Sequence, residues 1–301
     1  MGQRVEISEI FTSLEGESIH SGLPTAYIRF ARCNKSCPLF NNPNKTITPN
    51  GYAPLTFNPK DFSSLKELPL ISIGCDSQYS VSTEFSHLWE KLDATEILTR
   101  VLESIPFHSW VHPNTHQPVI MSATGGEPTS RMKFIVNELL PNPLMKGCKH
   151  ILFETNCSVP LRDADINKLY DWLIENDCSI TWSNSPKLSD SGEVWEKSIM
   201  PNVAVSQRNE EFIKQYPHKF FQYFKFVTDG SEQNLAEIKK AMNEYYEGGI
   251  PKTVEVALMP MACSKEQQEE IMTPIANLCI REGYRFSIRL QNVLWANGVG
   301  T

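Results

Sequence analysis

Two cysteines near the amino end of the chain have the spacing of iron–sulfur cluster ligands. Cys33 and Cys37 form a C-x3-C pair directly after an apolar run that is typical of a strand. Such a motif usually ends in a third cysteine three positions later, but Phe40 stands there and its ring cannot bind iron. On these residues alone, a pair of buried or free thiols is an equally good interpretation.

A distant cysteine can supply the missing ligand. Cys75 begins the run Cys-Asp-Ser-Gln-Tyr-Ser, so residues 38–74 are interpreted as an insertion between the second and third ligands. An insertion of this length is tolerated because loop-closure entropy grows only logarithmically. Three thiolates hold three irons of a [4Fe–4S] cubane, and the open iron can chelate the methionine moiety of S-adenosylmethionine (SAM). The remaining cysteines are interpreted as core or half-exposed thiols: Cys148, Cys157, Cys178, Cys263 and Cys279.

Composition and charge restrict the class of protein. The chain has 301 residues, of which 41% are hydrophobic and 21% charged, as in ordinary globular proteins. The net charge of −7 argues against a nucleic-acid partner, because phosphate binding requires a basic surface. No apolar run is long enough to cross a membrane and no signal peptide is evident, so we expect a cytoplasmic protein with reduced or metal-bound thiols.

Alternating strand-like and helical runs must position these residues. The predicted strands cover residues 25–31, 118–122, 150–154, 178–182, 221–228, 253–259 and 284–290. The predicted helices cover residues 93–105, 130–140, 163–176, 231–246 and 265–282. These β/α units predict a partial (β/α)6-type barrel, one domain over residues 1–301 with a parallel sheet and its chemistry at the carboxyl ends of the strands. Residues 38–74 lack periodicity and predict a long functional loop.

A glycine-rich segment follows the second predicted strand. Residues 124–128 read Thr-Gly-Gly-Glu-Pro and resemble the GGE motif of radical SAM enzymes. Gly125 and Gly126 would let the backbone approach the methionine ammonium of SAM, and Glu127 would accept a hydrogen bond from it. A simple turn is the alternative for a lone Gly-Gly-Glu-Pro, but its place after a strand and downstream of the cysteines favours function.

Together these motifs resemble the 7-carboxy-7-deazaguanine synthases. Residues 75–80 resemble the C-D-T-x-Y-S segment of that family, residues 9–17 its E-I-F-x-S-L-Q-G-E-G and residues 21–30 its T-G-x-P-x-x-F-x-R-L. The resemblance implies a radical SAM barrel and a carbon–nitrogen lyase. This enzyme would convert 6-carboxy-5,6,7,8-tetrahydropterin to 7-carboxy-7-deazaguanine, with loss of ammonia, for queuosine and other 7-deazapurines.

The resemblance also implies a substrate site. Its predicted residues are Leu14, Glu15, Gly16, Glu17, Arg29 and Thr124. Glu17 would accept hydrogen bonds from the aminopyrimidine edge and Arg29 would pair with the substrate carboxylate. Glu15 stands where the family has Gln, and without the resemblance Glu15 and Glu17 would be a solvated pair. Ser77 stands where a family Thr ligates Mg²⁺, although Asp76 and Ser77 could also only shape a turn.

The implied SAM site draws on several strand ends. Its predicted residues are Asp76, Gly125, Gly126, Glu127, Glu154, Asn156, Ser185 and Lys187. Residues 153–156 and 183–187 resemble the E-T-N-G and S-P-K segments of the family, with Cys157 in place of the expected Gly. A solvent lysine is the alternative for Lys187. Residues 289–301 resemble the family ending that closes over the substrate, with Gln291 in place of His.

The resemblance further implies SAM acting as a cofactor, a small pterin substrate, a flavodoxin-like electron donor and a homodimer. Two alternatives remain open. A radical SAM activase that makes a glycyl radical on a partner would share the cysteines and the GGE motif but lack the acids at the pterin edge. A cluster-free regulatory or binding protein on the same fold would account for the departures at Phe40, Glu15, Cys157 and Gln291.

Overall fold

The structure is a computed structural model that describes residues 2–17, 19–296 and 300. Its strands are β1 (Val5–Leu14), β2 (Pro24–Phe30), β3 (Glu90–Leu92), β4 (Ile120–Gly125), β5 (His150–Thr155), β6 (Ser179–Asn184), β7 (Phe220–Thr228), β8 (Glu255–Pro260) and β9 (Arg285–Phe286). Within the described residues they form a nine-stranded sheet in the order β3-β1-β2-β4-β5-β6-β7-β8-β9.

Most of this sheet is parallel. Strand β2 and strands β4 to β9 run in the same direction, each paired with its neighbour in parallel. The predicted mixed α/β fold with a mostly parallel sheet is therefore confirmed. Strands β1 and β3 extend one edge by antiparallel pairing, which was not predicted, and β9 is shorter than residues 284–290 suggested.

Helices lie between the strands and after the last of them. They are α1 (Gln78–Val81), α2 (Ala94–Ser104), α3 (Met132–Phe134), α4 (Asp163–Glu175), α5 (Trp195–Ser198), α6 (Pro201–Ser206), α7 (Glu210–Gln215), α8 (Glu232–Glu247), α9 (Lys265–Glu282) and α10 (Leu290–Trp295). Shorter 3-10 turns cover Pro59–Asp61, Leu65–Glu67, Thr83–Leu88, Pro128–Arg131, Pro143–Met145 and Ser189–Ser191. The predicted helix over residues 130–140 is irregular, because a π-turn at Ile135–Leu139 follows α3.

Apolar helix faces pack on the sheet in two large clusters. Ile97, Leu98 and Val101 of α2 are fully buried against the amino-terminal half of the sheet. Asp93 begins this helix as predicted, since its carboxylate accepts from two backbone N–H groups and Glu96 completes the capping box. A second cluster packs α8 and α9 on β7 and β8.

The insertion at residues 38–74 packs in a small core that it shares with residues on either side of it. Ile71 packs with Phe85 and Trp89, and Leu55, Phe57 and Leu68 join them. Its base is closed by the N–H of Gly74, which donates to the Phe40 carbonyl at 2.7 Å. The segment therefore leaves the loop that carries Cys33 and Cys37, which we call the cluster loop, and returns to it. No helix in the described part of the chain is long and apolar enough to span a membrane.

Candidate functional site

A cavity of about 460 Å³ opens at the carboxyl ends of the parallel strands. The predicted site residues that line it are Glu17, Arg29, Cys33, Cys37, Cys75, Asp76, Ser77, Thr124, Gly125, Gly126, Glu154, Asn156, Ser185 and Lys187. Four predicted residues do not line it: Leu14, Glu15, Gly16 and Glu127. Residues from distant regions of the sequence therefore meet in one cavity, which lies at the edge where parallel sheets hold their chemistry.

The three predicted cluster ligands lie together in this cavity. Cys37 is buried, and burial raises the pKa of the Cys33 and Cys75 thiols to about 12. Nearby irons would counter that shift, because a metal-bound thiol is deprotonated. No group of three or more His, Cys, Asp or Glu in the described residues is arranged to hold a single ion. A cubane attaches each thiolate to a different iron, so three cysteines around one cavity suit a cluster better than an ion.

The glycines of the GGE segment pack against the strand that leads to Cys33. The N–H of Gly126 donates to the Phe30 carbonyl at 3.0 Å, and the N–H of Glu127 donates to the Arg32 carbonyl at 3.0 Å. A Cβ at Gly126 would lie 1.9 Å from the Arg32 oxygen, so no larger residue fits. The glycines are therefore needed to bring this segment against the cluster loop.

The Glu127 carboxylate accepts hydrogen bonds from other groups of the protein. One of its oxygens accepts from the hydroxyls of Thr129 and Thr155 at 2.5 and 2.8 Å, and the other from the N–H of Asn156 at 2.7 Å. Burial raises the pKa of this carboxyl. These contacts differ from the predicted role as an acceptor for the SAM ammonium, since the side chain joins the end of β5 to the GGE segment and leaves the backbone of Gly125 and Gly126 facing the cavity.

A network of buried charges lies at one side of the cavity. Glu17 accepts from Nζ of Lys225 at 2.7 Å and lies 3.0 Å from Nε of Arg289, which also pairs with Asp76. Burial pushes the pKa of Glu17 upward, but Lys225 and Arg289 outweigh it and lower the pKa to about 2. Glu17 is therefore a carboxylate that two cations hold in place before any ligand arrives.

Lys225 and Arg289 were not predicted as site residues. Their partner Glu17 is far away in the sequence, 208 positions from Lys225. One signal was available, because Lys225 stands inside the apolar strand β7 and is buried there, and lysine is almost never buried without a partner.

Glu15 lies behind the cavity wall. It is fully buried, and its two oxygens accept from the Tyr27 hydroxyl at 3.1 Å and the Glu17 N–H at 3.0 Å. Burial, followed by the charge of Glu154, raises the pKa of Glu15 to about 8. A carboxyl with that pKa is uncharged at neutral pH, which makes it similar in size and charge to the Gln that the resemblance led us to expect.

We expect Glu15→Gln to change how stability depends on pH. Glu15 has an ordinary pKa of 4.5 when unfolded and about 8 when folded, so the folded state binds more protons between these values and wild-type stability falls as pH rises. The contribution amounts to at most about 1.4 kcal/mol per pH unit. Urea unfolding across this range should show Glu15→Gln gaining stability relative to wild type. The exposed Glu103→Gln serves as control, and parallel pH profiles for wild type and Glu15→Gln would contradict the prediction.

The carboxyl-terminal segment packs on the same loop as Glu15. The N–H of Leu290 donates to the Gly16 carbonyl at 3.1 Å, and a Cβ at Gly16 would lie 1.9 Å from the Gln291 amide oxygen. A larger residue at position 16 would therefore displace the Gln291 amide, and Gly16 itself does not line the cavity. Gln291, Ala296 and Gly300 line the cavity, while residues 297–299 and 301 of the predicted closing segment lie outside the described residues.

Arg29 is held in a fixed position at the cavity wall. Its Nε lies 2.9 Å from Glu9, and its guanidinium carbon lies 5.9 and 5.8 Å from the ring centres of Phe11 and Tyr79. The Tyr79 hydroxyl donates to the same Glu9 carboxylate at 3.0 Å. A guanidinium fixed by a carboxylate and two rings is ready to bind a ligand carboxylate without further ordering.

The predicted SAM residues at the ends of β5 and β6 contact the cluster loop and each other. The Asn156 amide donates to the Cys33 sulfur at 3.5 Å and to the Asn34 side chain at 2.8 Å. Nζ of Lys187 donates to the Ser185 hydroxyl at 3.3 Å. The Thr124 hydroxyl donates to Glu154 at 3.4 Å, and burial raises the pKa of Glu154.

The insertion forms one wall of the cavity. Its lining residues are Phe40, Asn41, Lys66, Leu68, Pro69, Leu70, Ile71 and Gly74. Cys263, which we interpreted as a core or half-exposed thiol, is buried and lines the same cavity, with the Asn41 amide 3.7 Å from its sulfur. Residues 38–74 were predicted as a functional loop, and their place in the wall of the cavity gives that loop a location.

Comparisons with known proteins agree on one family. No family model matches the chain. A 7-carboxy-7-deazaguanine synthase from Pyrobaculum aerophilum is 25% identical over 303 residues, which cover 99% of this chain and 97% of that protein. One from Methanopyrus kandleri is 26% identical over 222 residues, covering 70% of this chain and 75% of that protein.

A solved structure agrees in fold. QueE from Escherichia coli superposes with a TM-score of 0.51 at 16% sequence identity, covering 95% of this chain and 94% of that one. The fold and the full-length similarity to curated synthases agree with the motifs gathered around the cavity. The chain is therefore similar over almost its whole length to curated 7-carboxy-7-deazaguanine synthases, and it shares the fold of QueE.

Proposed function

We propose that this enzyme converts 6-carboxy-5,6,7,8-tetrahydropterin to 7-carboxy-7-deazaguanine by radical SAM chemistry, with loss of ammonia. The observation that carries the proposal is the meeting of Cys33, Cys37 and Cys75 with Glu17 and Arg29 in one cavity. The curated relatives bear the name of the enzyme that makes this product. We propose that the product serves the synthesis of queuosine or another 7-deazapurine.

Three thiolates would hold the [4Fe–4S] cluster. Cys33, Cys37 and Cys75 would each bind one iron and leave the fourth iron for SAM. When bound, the cluster and SAM supply a one-electron cleavage that generates the hydrogen-abstracting radical. The chain's own contribution is to fix the thiols, because Asn156 contacts the Cys33 sulfur and the Gly74 N–H closes the insertion beside Cys75.

SAM would occupy the part of the cavity next to the cluster loop. The backbone of Gly125 and Gly126 faces this space, and Glu154, Asn156, Ser185 and Lys187 line it. We propose these residues as SAM contacts, with Glu127 supporting the GGE segment from behind. Asp76, the other predicted SAM residue, is paired with Arg289, so we propose that it orients this arginine.

The pterin would bind against the charged side of the cavity. Glu17, kept ionised by Lys225 and Arg289, would accept hydrogen bonds from the aminopyrimidine edge. Arg29 uses Nε to face Glu9, and we propose its two terminal nitrogens as donors to the substrate carboxylate. Thr124 also lines the cavity, and we propose it as a further substrate contact. Holding the substrate at both ends would position it for hydrogen abstraction.

A Mg²⁺ ion would bind at Ser77. Its hydroxyl lines the cavity and donates to the Asp76 carboxylate at 3.4 Å, so oxygen ligands of the kind that Mg²⁺ prefers are present. Substrate oxygens and water would complete the coordination. A flavodoxin-like electron donor, a homodimer and a cytoplasmic location stay predictions that rest on the family resemblance.

An anaerobic assay tests the proposal. Purified protein reconstituted with iron and sulfide would be mixed with the tetrahydropterin, SAM, Mg²⁺ and dithionite, and the deazaguanine product would be measured by mass spectrometry. We expect about four irons and four sulfides per chain and product formation that depends on all components. SAM cleavage without consumption of the pterin would favour the activase, and failure to bind iron and sulfide would favour the cluster-free protein.

A further inference from the structure

Glu193 contacts the cluster loop from outside the cavity. No sequence motif indicated this residue. Glu193 lies between the turn at Ser189–Ser191 and α5, and its side chain is 14% exposed. One carboxylate oxygen accepts from the backbone N–H groups of Ser36 and Cys37 at 2.8 and 2.9 Å. A single carboxylate therefore binds two consecutive N–H groups of the segment that joins Cys33 to Cys37.

A buried lysine completes this contact. Nζ of Lys35 lies 3.7 Å from the second oxygen of Glu193, and its side chain is only 4% exposed. The same ammonium donates to the Lys197 carbonyl at 2.7 Å and to the Ser198 hydroxyl at 3.1 Å. The Lys35 ammonium thus attaches the middle of the cluster loop to α5. Its charge is buried, and its N–H groups have hydrogen-bond acceptors.

The backbone that Glu193 contacts is strained. Cys37 has a φ of +44°, in the left-handed region that non-glycine residues rarely adopt. Such a conformation is unfavourable for a residue with a side chain and persists only where surrounding contacts enforce it. The hydrogen bond from the Cys37 N–H to Glu193 is one of these contacts. The packing of Leu39 against Gly192, where a Cβ would lie 2.7 Å from the leucine Cγ, holds the next residues.

We propose that Glu193 is a positioning residue for the iron–sulfur cluster. It holds the loop between Cys33 and Cys37 in the conformation that presents both thiols to the cavity, and Lys35 anchors the same loop to α5. The inference rests on the proposed function, because it takes the two cysteines to be cluster ligands. Partners that orient metal ligands typically change metal affinity by 10- to 100-fold when they are substituted.

Cluster retention in Glu193 variants tests this inference without an activity assay. Wild type, Glu193→Ala, Glu193→Gln and the control Glu196→Gln would be reconstituted anaerobically, and iron release to a chelator would be timed. Glu196 is exposed on the neighbouring α5, so its variant should behave as wild type. We expect Glu193→Ala to release iron about tenfold faster. Glu193→Gln keeps one acceptor oxygen and should lie between Glu193→Ala and wild type.

A second readout separates positioning from a general loss of stability. The midpoint potential of the cluster should shift to a more positive value in Glu193→Gln, because a negative charge beside the ligand loop is lost while Lys35 remains. Thermal unfolding of the apoproteins would identify any variant that fails to fold. A wild-type protein that takes up no cluster would overturn the proposed function. Wild-type uptake combined with unchanged iron release and potential in a folded Glu193→Gln variant would overturn this inference alone.

Discussion

Replacing Cys75 by alanine is expected to abolish product formation and to remove the complete cluster. Cys75 lines the same cavity as Cys33 and Cys37, although residues 38–74 separate it from them in sequence. Two thiolates leave a second iron of the cubane without a protein ligand, so the iron content should fall from about four to below about one per chain. Iron and sulfide analysis with the spectrum of the reduced cluster would measure the effect.

Two further cysteines sharpen this prediction. Cys148→Ala is the matched control, because Cys148 is buried just before β5, at the opposite end of the strands from the cavity. It should keep the cluster and lose only a little stability. Cys263 lines the cavity and provides the decisive comparison. A Cys75→Ala protein with a full cluster, combined with cluster loss in Cys263→Ala, would assign the third ligand to Cys263 and refute our choice.

Replacing Lys225 by methionine is expected to destabilise the fold by about 3 kcal/mol, because the largely buried Glu17 carboxylate loses one of its two cations. Lys225 is 3% exposed and its ammonium lies 2.7 Å from Glu17. Arg289 remains beside Glu17 in the variant and limits the loss. We also expect the apparent KM for the pterin to rise, since Glu17 is the proposed acceptor for its amino edge. Urea unfolding and steady-state kinetics would measure both effects.

A double variant distinguishes the charge from the packing. In Lys225→Met with Glu17→Gln the carboxylate that lost its nearest cation is also removed, so most of the lost stability should return while the affinity for the pterin should not. The exposed Lys252→Met controls for the change of residue type. Wild-type stability in Lys225→Met would contradict the prediction, and so would a double variant that is no more stable than the single one.

The ion pair between Glu17 and Lys225 also predicts that the stability of the fold decreases at acid pH. The folded pKa of Glu17 is about 2 against an ordinary value of 4.5, so its stabilising contribution is present above pH 4.5 and lost as pH falls toward 2. Glu15 acts in the opposite direction, because its contribution is lost as pH rises toward 8. The two neighbouring glutamates therefore limit stability from opposite sides.

Much of the fold could be predicted because helices and buried parallel strands have local signatures. Residues 265–282 were predicted as a helix and form one with those bounds, and Asp93 caps α2 as its sequence context indicated. The antiparallel strands β1 and β3 were missed. Each is stabilised by pairing with a distant segment rather than by its own periodicity, since β3 pairs with Val5–Ile7 across most of the first ninety residues.

The sequence by itself determined which residues were available for chemistry and at which edge of the sheet they would meet. Cysteine spacing, the glycine pair and the alternation of predicted strands and helices are local patterns. Because the carboxyl ends of parallel strands share one edge of the sheet, the cavity could be expected there. Fourteen of the predicted residues line it, among them all three cysteines.

Only the tertiary structure decided how those residues are used. Glu127 faces inward to Thr155 and Asn156, Glu15 is buried with a raised pKa, and the insertion forms a wall of the cavity. Lys225 and Glu193 contact predicted site residues that lie more than a hundred positions away in the sequence. Charge state and hydrogen bonding depend on burial and on such distant partners, and neither is encoded in the spacing of residues along the chain.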